Sequence, residues 1–195
     1  MIKAKWVGAH PNNFTPGRSG NTIKLIVVHS TQGSLQSAAN WFNNPAAKVS
    51  AHYGIGKDGS LEQYVQFEDT AHHAGQWKVN QESIGIEFED IFDGVEHNPV
   101  QYDIGARLIS VLCKRFSLGK PSSANIKPHS DFRATKCPGD LDVSKLISLA
   151  QVAYEGANKE WKVKIYNAPA PAEKQPVVRF DNKHLIVHVD FKDSV

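Results

Sequence analysis

Leu25-Ile26-Val27-Val28-His29-Ser30-Thr31 is the stretch on which the reading of this 195-residue chain turns. Its four consecutive apolar residues suit a central strand buried on both faces, since a strand covered on one face alone would alternate. A run this short also fits a buried helical segment by periodicity alone. Read as a strand, it delivers His29 at its carboxyl end. A second stretch, Lys127-Pro128-His129-Ser130-Asp131-Phe132-Arg133-Ala134-Thr135-Lys136-Cys137-Pro138-Gly139, sets His129 and Cys137 eight residues apart in a loop punctuated by Pro and Gly. Two imidazoles and one thiolate, converging from a strand end and a loop, are the three protein donors of an open tetrahedral zinc site.

Outward from these stretches the chain reads as α/β. Ser34 is placed to cap a helix through about Asn43, with Leu35, Ala38, Ala39 and Phe42 facing the core. Residues 49–55 and 60–65 flank Lys57-Asp58-Gly59, in which Asp-Gly signals a hairpin turn. Residues 83–88 read as another strand. Asn98 followed by Pro99 is a cap and a first-turn proline, and Ile104, Leu108, Ile109, Leu112, Cys113 and Phe116 continue at helical spacing until Gly119 and Pro121 end the run. A last helix is expected over residues 143–154, with Leu146, Ile147 and Ala150 inward and Gly156 as its stop. There is no internal repeat.

Composition sets independent bounds. A chain of this length builds one core of ordinary size, and 41% apolar with 22% charged residues is the balance of a soluble globular protein. No apolar run approaches membrane-spanning length, so membrane insertion is not expected. A formal charge of +2 is too small to argue for nucleic acid. Cys113 falls in a helical pattern and Cys137 in the ligand loop, so two reduced cysteines are expected rather than one disulfide. The opening Met1-Ile2-Lys3-Ala4-Lys5-Trp6 lacks the apolar core of a secretory signal, and no Sec export is expected from it.

Six motifs in order carry a resemblance: the His29 strand, Val49-Ser50-Ala51-His52-Tyr53-Gly54-Ile55, Gln63-Tyr64-Val65, Ala71-His72-His73-Ala74-Gly75, Ser83-Ile84-Gly85-Ile86-Glu87 and the His129 to Cys137 loop. Over roughly residues 20 to 156 the chain resembles the zinc-dependent N-acetylmuramoyl-L-alanine amidases, which include phage endolysins and animal peptidoglycan recognition proteins. The resemblance implies a central mixed β-sheet flanked by helices, with zinc (Zn2+) on His29, His129 and Cys137. It implies bacterial peptidoglycan as the partner, cut between N-acetylmuramic acid and L-alanine. Glu87 falls where family members place a catalytic carboxylate, with Glu89 the lesser candidate; one of the two is open to being only a solvent-face charge. Tyr53 matches an active-site tyrosine of phage amidases, although a strand aromatic filling the core fits it equally well. His73 matches the His of the family's His-Ala-Gly segment, a place from which to orient water or substrate; at His72 many relatives carry an aromatic. Thr135 stands where several bacterial and phage members have Lys, which leaves the oxyanion donor open between Thr135 and His73.

Three rival readings accompany this one. Cys137 activated by His129 as a thiol nucleophile would leave His29 unexplained. A muropeptide-binding module without activity typically lacks the cysteine ligand. A regulatory protein that uses the fold to bind a partner such as a polymerase has no identifiable surface in this sequence. The resemblance places a zinc amidase catalytic domain at 1–156 and a linker and strand-rich tail at 157–195. Ala168-Pro169-Ala170-Pro171-Ala172 is linker-like, and 161–166, 177–180 and 184–189 alternate as strands do. So short a tail makes a poor independent core, and wall binding or packing on the amidase are both open to it. The opening Trp6-Val7-Gly8 and Asn13-Phe14-Thr15-Pro16-Gly17-Arg18 resembles phage endolysins, which implies residence in the host cytoplasm until release to the wall. A cytosolic recycling amidase is the main competitor.

Overall fold

The apolar run at Leu25 lies inside a sheet, covered on both faces. The computed structural model describes residues 4–91, 93–156, 180–181 and 184–185. Along the chain come β1 (Ala4–Trp6), a one-turn 3-10 helix (Pro11–Asn13), β2 (Phe14–Thr15), β3 (Leu25–Ser30), α1 (Leu35–Asn43), β4 (Tyr53–Ile55) and β5 (Leu61–Gln63). Then follow β6 (Thr70–Ala71), α2 (Trp77–Glu82), β7 (Ser83–Phe88), α3 (Pro99–Arg115), β8 (Ile126–Pro128), a second 3-10 turn (His129–Asp131) and α4 (Val143–Gly156). β9 (Phe180–Asp181) and β10 (His184–Leu185) pair antiparallel. The expected linker at 168–172 and the alternation at 161–166 lie outside the described residues.

Six strands form one mixed sheet in the order β1-β5-β4-β7-β3-β8. The β4/β5 hairpin is antiparallel, while β1/β5, β4/β7, β7/β3 and β3/β8 are parallel. β2 and β6 make a separate antiparallel pair. Register assigns the faces, because neighbours directly across a ladder point the same way. Val28, Ile86 and Tyr53 lie across from one another on one face; His29, Glu87 and Gly54 lie across on the other. The first face buries Ile26, Ile84 and Phe88 beneath Leu108, Ile109 and Leu112 of α3 and Leu146 of α4. The second meets α1, whose Leu35, Ala38, Ala39 and Phe42 pack with Tyr64, Val65 and Ala71. Gly54 is required there, since a Cβ would fall 2.6 Å from both Leu35 Cδ1 and the Tyr64 hydroxyl.

Local signals account for most boundaries. The Ser34 hydroxyl accepts from the Ser37 N–H at 3.1 Å and starts α1, a cap that contributes about 1 kcal/mol. Asn98 and Gln101 close a capping box at the start of α3, with Pro99 at its first position. α3 ends at Arg115, before Phe116 and short of Gly119. Ser117 takes φ 54° and the Leu118 N–H reaches back to the Cys113 carbonyl at 2.9 Å, a stop made without glycine. α4 runs through Gly156, which had read as its stop. The hairpin turns at Gly59, φ +82°, but its strands are shorter than 49–55 and 60–65, and Ser50 gives its N–H to the His72 carbonyl. Both cysteines are buried and free, as expected. Among the described residues no helix is long and apolar enough to cross a membrane.

Candidate active site

Three parallel strands end side by side at one edge of the sheet, and each brings a polar group there. β3 brings His29, β7 brings Glu87 directly across from it, and β8 hands the chain to His129 one residue after Pro128, the partner of Val28. Cys137 returns because the loop after His129 closes on itself. The Ser130 N–H donates to the Cys137 carbonyl at 3.1 Å, and the Cys137 N–H donates to Thr135 Oγ1 at 3.1 Å. The Ser30 N–H then donates to Cys137 Sγ at 3.3 Å.

One donor atom each from His29, His129 and Cys137 lies within 4.8 Å of the others. Cys137 Sγ is 3.8 Å from His29 Nδ1, which marks Nδ1 as the inward atom of that ring. The Ala74 backbone lies close enough to favour the protonated His129 ring, and His129 Nε2 is buried with no partner among the described residues. A buried acceptor left without a partner costs about 1–3 kcal/mol, so this atom is an unmet demand for a ligand. Burial keeps His29 and His129 below the usual histidine range, hence neutral and able to donate a lone pair. Burial, with Glu87 nearby, pushes the Cys137 thiol up to about 12. Such a thiol is not a thiolate at neutral pH unless a cation draws off its proton, which removes the support for a self-activated nucleophile. Neutral imidazoles, a thiol awaiting a cation and an orphaned nitrogen fit a metal ion with nitrogen and sulfur preference.

Glu87 borders this triad with Oε2 buried and unpartnered, and burial raises its carboxyl to about 8. Glu89 is engaged elsewhere, accepting from the Lys57 N–H at 2.9 Å. Thr135 lines the cleft, and because its Oγ1 accepts from Cys137 its own proton remains for another acceptor. His73 also borders the cleft, but both its ring nitrogens are engaged within the protein, by His29 Nε2 at 3.0 Å and Ser83 Oγ at 3.1 Å. His72 contacts Thr15 Oγ1 at 2.9 Å and packs against Trp77.

Tyr53 is not brought to the site. It lies across from Ile86 on the opposite face, 2% exposed in the core under α3 and α4, its hydroxyl buried without a partner. Adjacent residues of a strand face opposite ways, so the position that follows His52 and precedes Gly54 points away from the His29 and Glu87 face. The cleft walls add residues that the motifs had not singled out: Gln32 and Trp41 on one side, Lys48, Trp77 and Arg133 on the other. Trp41 and Trp77 are about half exposed beside the cleft, and neither stands in a motif that would have marked it in the sequence.

Comparison with known proteins identifies the family and the fold. The family model described as N-acetylmuramoyl-L-alanine amidase matches residues 19–140, which hold all three donors and Glu87. N-acetylmuramoyl-L-alanine amidase A of Achromobacter lyticus is 33% identical over 115 residues, 58% of this chain and 63% of that relative's own length. A selenomethionine derivative of AmpD superposes with a TM-score of 0.64 at 25% identity, covering 76% of this chain and 95% of the other. A mutant endolysin from Bacillus subtilis superposes with a TM-score of 0.58 at 23% identity, covering 79% and 99%, a likeness of fold.

Proposed function

Because the chain belongs to the N-acetylmuramoyl-L-alanine amidase family, we propose that it hydrolyses the amide joining N-acetylmuramic acid to L-alanine in peptidoglycan, with zinc held by His29, His129 and Cys137. The observation that carries the reading is that one donor atom from each of those three residues lies within 4.8 Å of the others, on a set that includes a His129 ring with Nε2 left without a partner. Zinc in that place supplies a Lewis acid and lowers the pKa of an attacking water to about 7.

The chain's own residues do the rest. Glu87, which lines the cleft with the three donors and has an oxygen without a partner, is placed to take a proton from water and return it to the departing amine; burial holds its carboxyl up in the metal-free protein, and a bound cation would draw it down into its ionised form. Thr135 offers its hydroxyl proton to the oxyanion that forms on the carbonyl. The Ser30 N–H supports the sulfur of Cys137. Trp41, Val49 and Trp77 offer apolar surface along the cleft for a glycan or stem peptide.

The setting we infer is host lysis by a phage, with the protein in the host cytoplasm until it is released to the wall, and residues 1–156 as the catalytic unit. The competing setting is turnover of soluble wall fragments. Purified sacculi and soluble anhydro-muropeptides, each assayed with and without a zinc chelator, test both levels. Release of L-alanine amino termini that a chelator abolishes is expected. Zinc-independent release would overturn the mechanism, and activity confined to soluble fragments would overturn the lytic setting.

A further inference from the structure

We propose that His73 and Ser83 are positioning residues that fix the tautomer of His29, through a hydrogen-bond chain that starts at the Val79 carbonyl and leaves His29 Nδ1 bare toward Cys137. The direction of every link follows from the first. A backbone carbonyl only accepts, so the contact of 2.6 Å between Ser83 Oγ and Val79 O uses the single proton of the hydroxyl. Ser83 Oγ must therefore accept from its other neighbour, His73 Nε2, at 3.1 Å. A neutral imidazole with its proton on Nε2 has a bare Nδ1, and His73 Nδ1 then accepts from His29 Nε2 at 3.0 Å. That places the proton of His29 on Nε2 and exposes Nδ1, the atom facing Cys137 Sγ at 3.8 Å.

The protein has built around this chain. A Cβ on residue 85 would sit 2.7 Å from His73 Cγ, so Gly85 gives the ring its place against β7. Asn80 Oδ1 accepts the N–H groups of His73 at 3.2 Å and Ala74 at 2.7 Å, which holds the backbone from which the ring projects. The His29 and His73 ring planes are perpendicular with centroids 5.1 Å apart, a separation that, with the 3.0 Å nitrogen-to-nitrogen contact, sets both nitrogens close to the line between the rings, as an in-plane N–H to nitrogen bond needs. Ser83, His73 and His29 are all buried, so water does not compete for the links. With both nitrogens committed, His73 has none left for substrate. Its role is to aim and polarise a ligand, as a hydrogen-bonded neighbour does for a metal-bound imidazole.

The proposal rests on the ligand assignment of His29, and the test separates the two. Histidine-selective 15N labelling with long-range 1H–15N correlation reads the tautomer of each ring in the full chain, with chelator and with one equivalent of zinc. Both His29 and His73 are expected to carry the proton on Nε2 before zinc is added, and His29 Nδ1 alone of the two rings is expected to shift on loading. Ser83→Ala should release the tautomers to a mixture and weaken zinc binding about 10–100-fold in competition with a chromophoric chelator, with one zinc still bound at saturation. A wild-type His29 protonated on Nδ1 overturns the chain, whatever the behaviour of the variant. So do unchanged tautomers and zinc affinity in a folded Ser83→Ala protein. Wild-type protein with the expected tautomers but no zinc uptake would support the chain and refute the proposed function.

Discussion

Replacing Glu87 by Gln should trade activity against stability in a pH-dependent way. Burial moves the carboxyl from 4.5 to about 8, and no hydrogen bond offsets it at Oε2. Between those values the folded protein holds a proton that the unfolded chain has released, so stability in chelator falls as pH rises from about 4.5 through about 8. At ~1.4 kcal/mol per pH unit the full shift corresponds to about 5 kcal/mol. The carboxyl borders an open cleft, and a screened effect of about 2 kcal/mol is expected. Glutamine, neutral at every pH, escapes this cost. Thermal melts of metal-free wild type and Glu87→Gln should therefore coincide near pH 4. By pH 9 they should diverge by about 4–8 °C in favour of the variant, at about 2–4 °C per kcal/mol for a chain of this size. The zinc-loaded variant should retain its metal and lose turnover by about 10²-fold or more. A melting difference independent of pH would refute the buried-carboxyl argument, and wild-type turnover with metal in place would refute the proton-transfer role.

The other expectations follow from the same geometry. Cys137→Ser and His29→Ala should each lose the roughly one zinc per chain that elemental analysis finds in wild type, and activity with it. Thr135→Val should keep zinc and lower kcat by about 10²-fold, the usual loss for one oxyanion donor, with little change in KM. Tyr53→Phe should leave turnover unchanged and stability equal or about 1 kcal/mol higher by urea melts, because it removes a buried hydroxyl that has no partner; a tenfold loss of turnover would put the ring back at the site. A chain ending at Gly156 should bind zinc and cleave a small soluble muropeptide, and an unfolded product would show that residues 157–195 belong to the catalytic fold.

What was legible in the sequence was what local chemistry determines. Ser34, Asn98-Pro99 and Asp58-Gly59 mark their elements because a cap or a turn is decided by the few residues that make it. His129 and Cys137 are near neighbours in sequence, and the loop that joins them carries its own closing bonds. What was not legible depends on pairing between distant strands. β1 alternates over only three residues, too few to mark a strand, and becomes one by lying parallel to β5. α2 was missed because six residues with Trp77 exposed carry no apolar stripe. His73 and Ser83 meet across ten residues, and His29 joins them from forty-four away, so no spacing rule links the three.

Tyr53 and Glu87 show how narrow the margin is between motif and position. Both stand in short, largely apolar strands, and the sequence resemblance implied a catalytic role for each. The β4/β7 register sets Glu87 across from Gly54 and leaves Tyr53 across from Ile86, one residue away and on the other side of the sheet. A slip of β4 by one residue in that pairing would turn β4 over and lift Tyr53 into the cleft, while β7, held by β3 on its other side, would keep Glu87 where it is. The bulk of Leu35 and Tyr64 over Gly54 guards against the slip, since any side chain there meets atoms at 2.6 Å. The glycine that keeps this approach open therefore fixes the face to which Tyr53 points, while the β3/β7 register sets the acid beside His29.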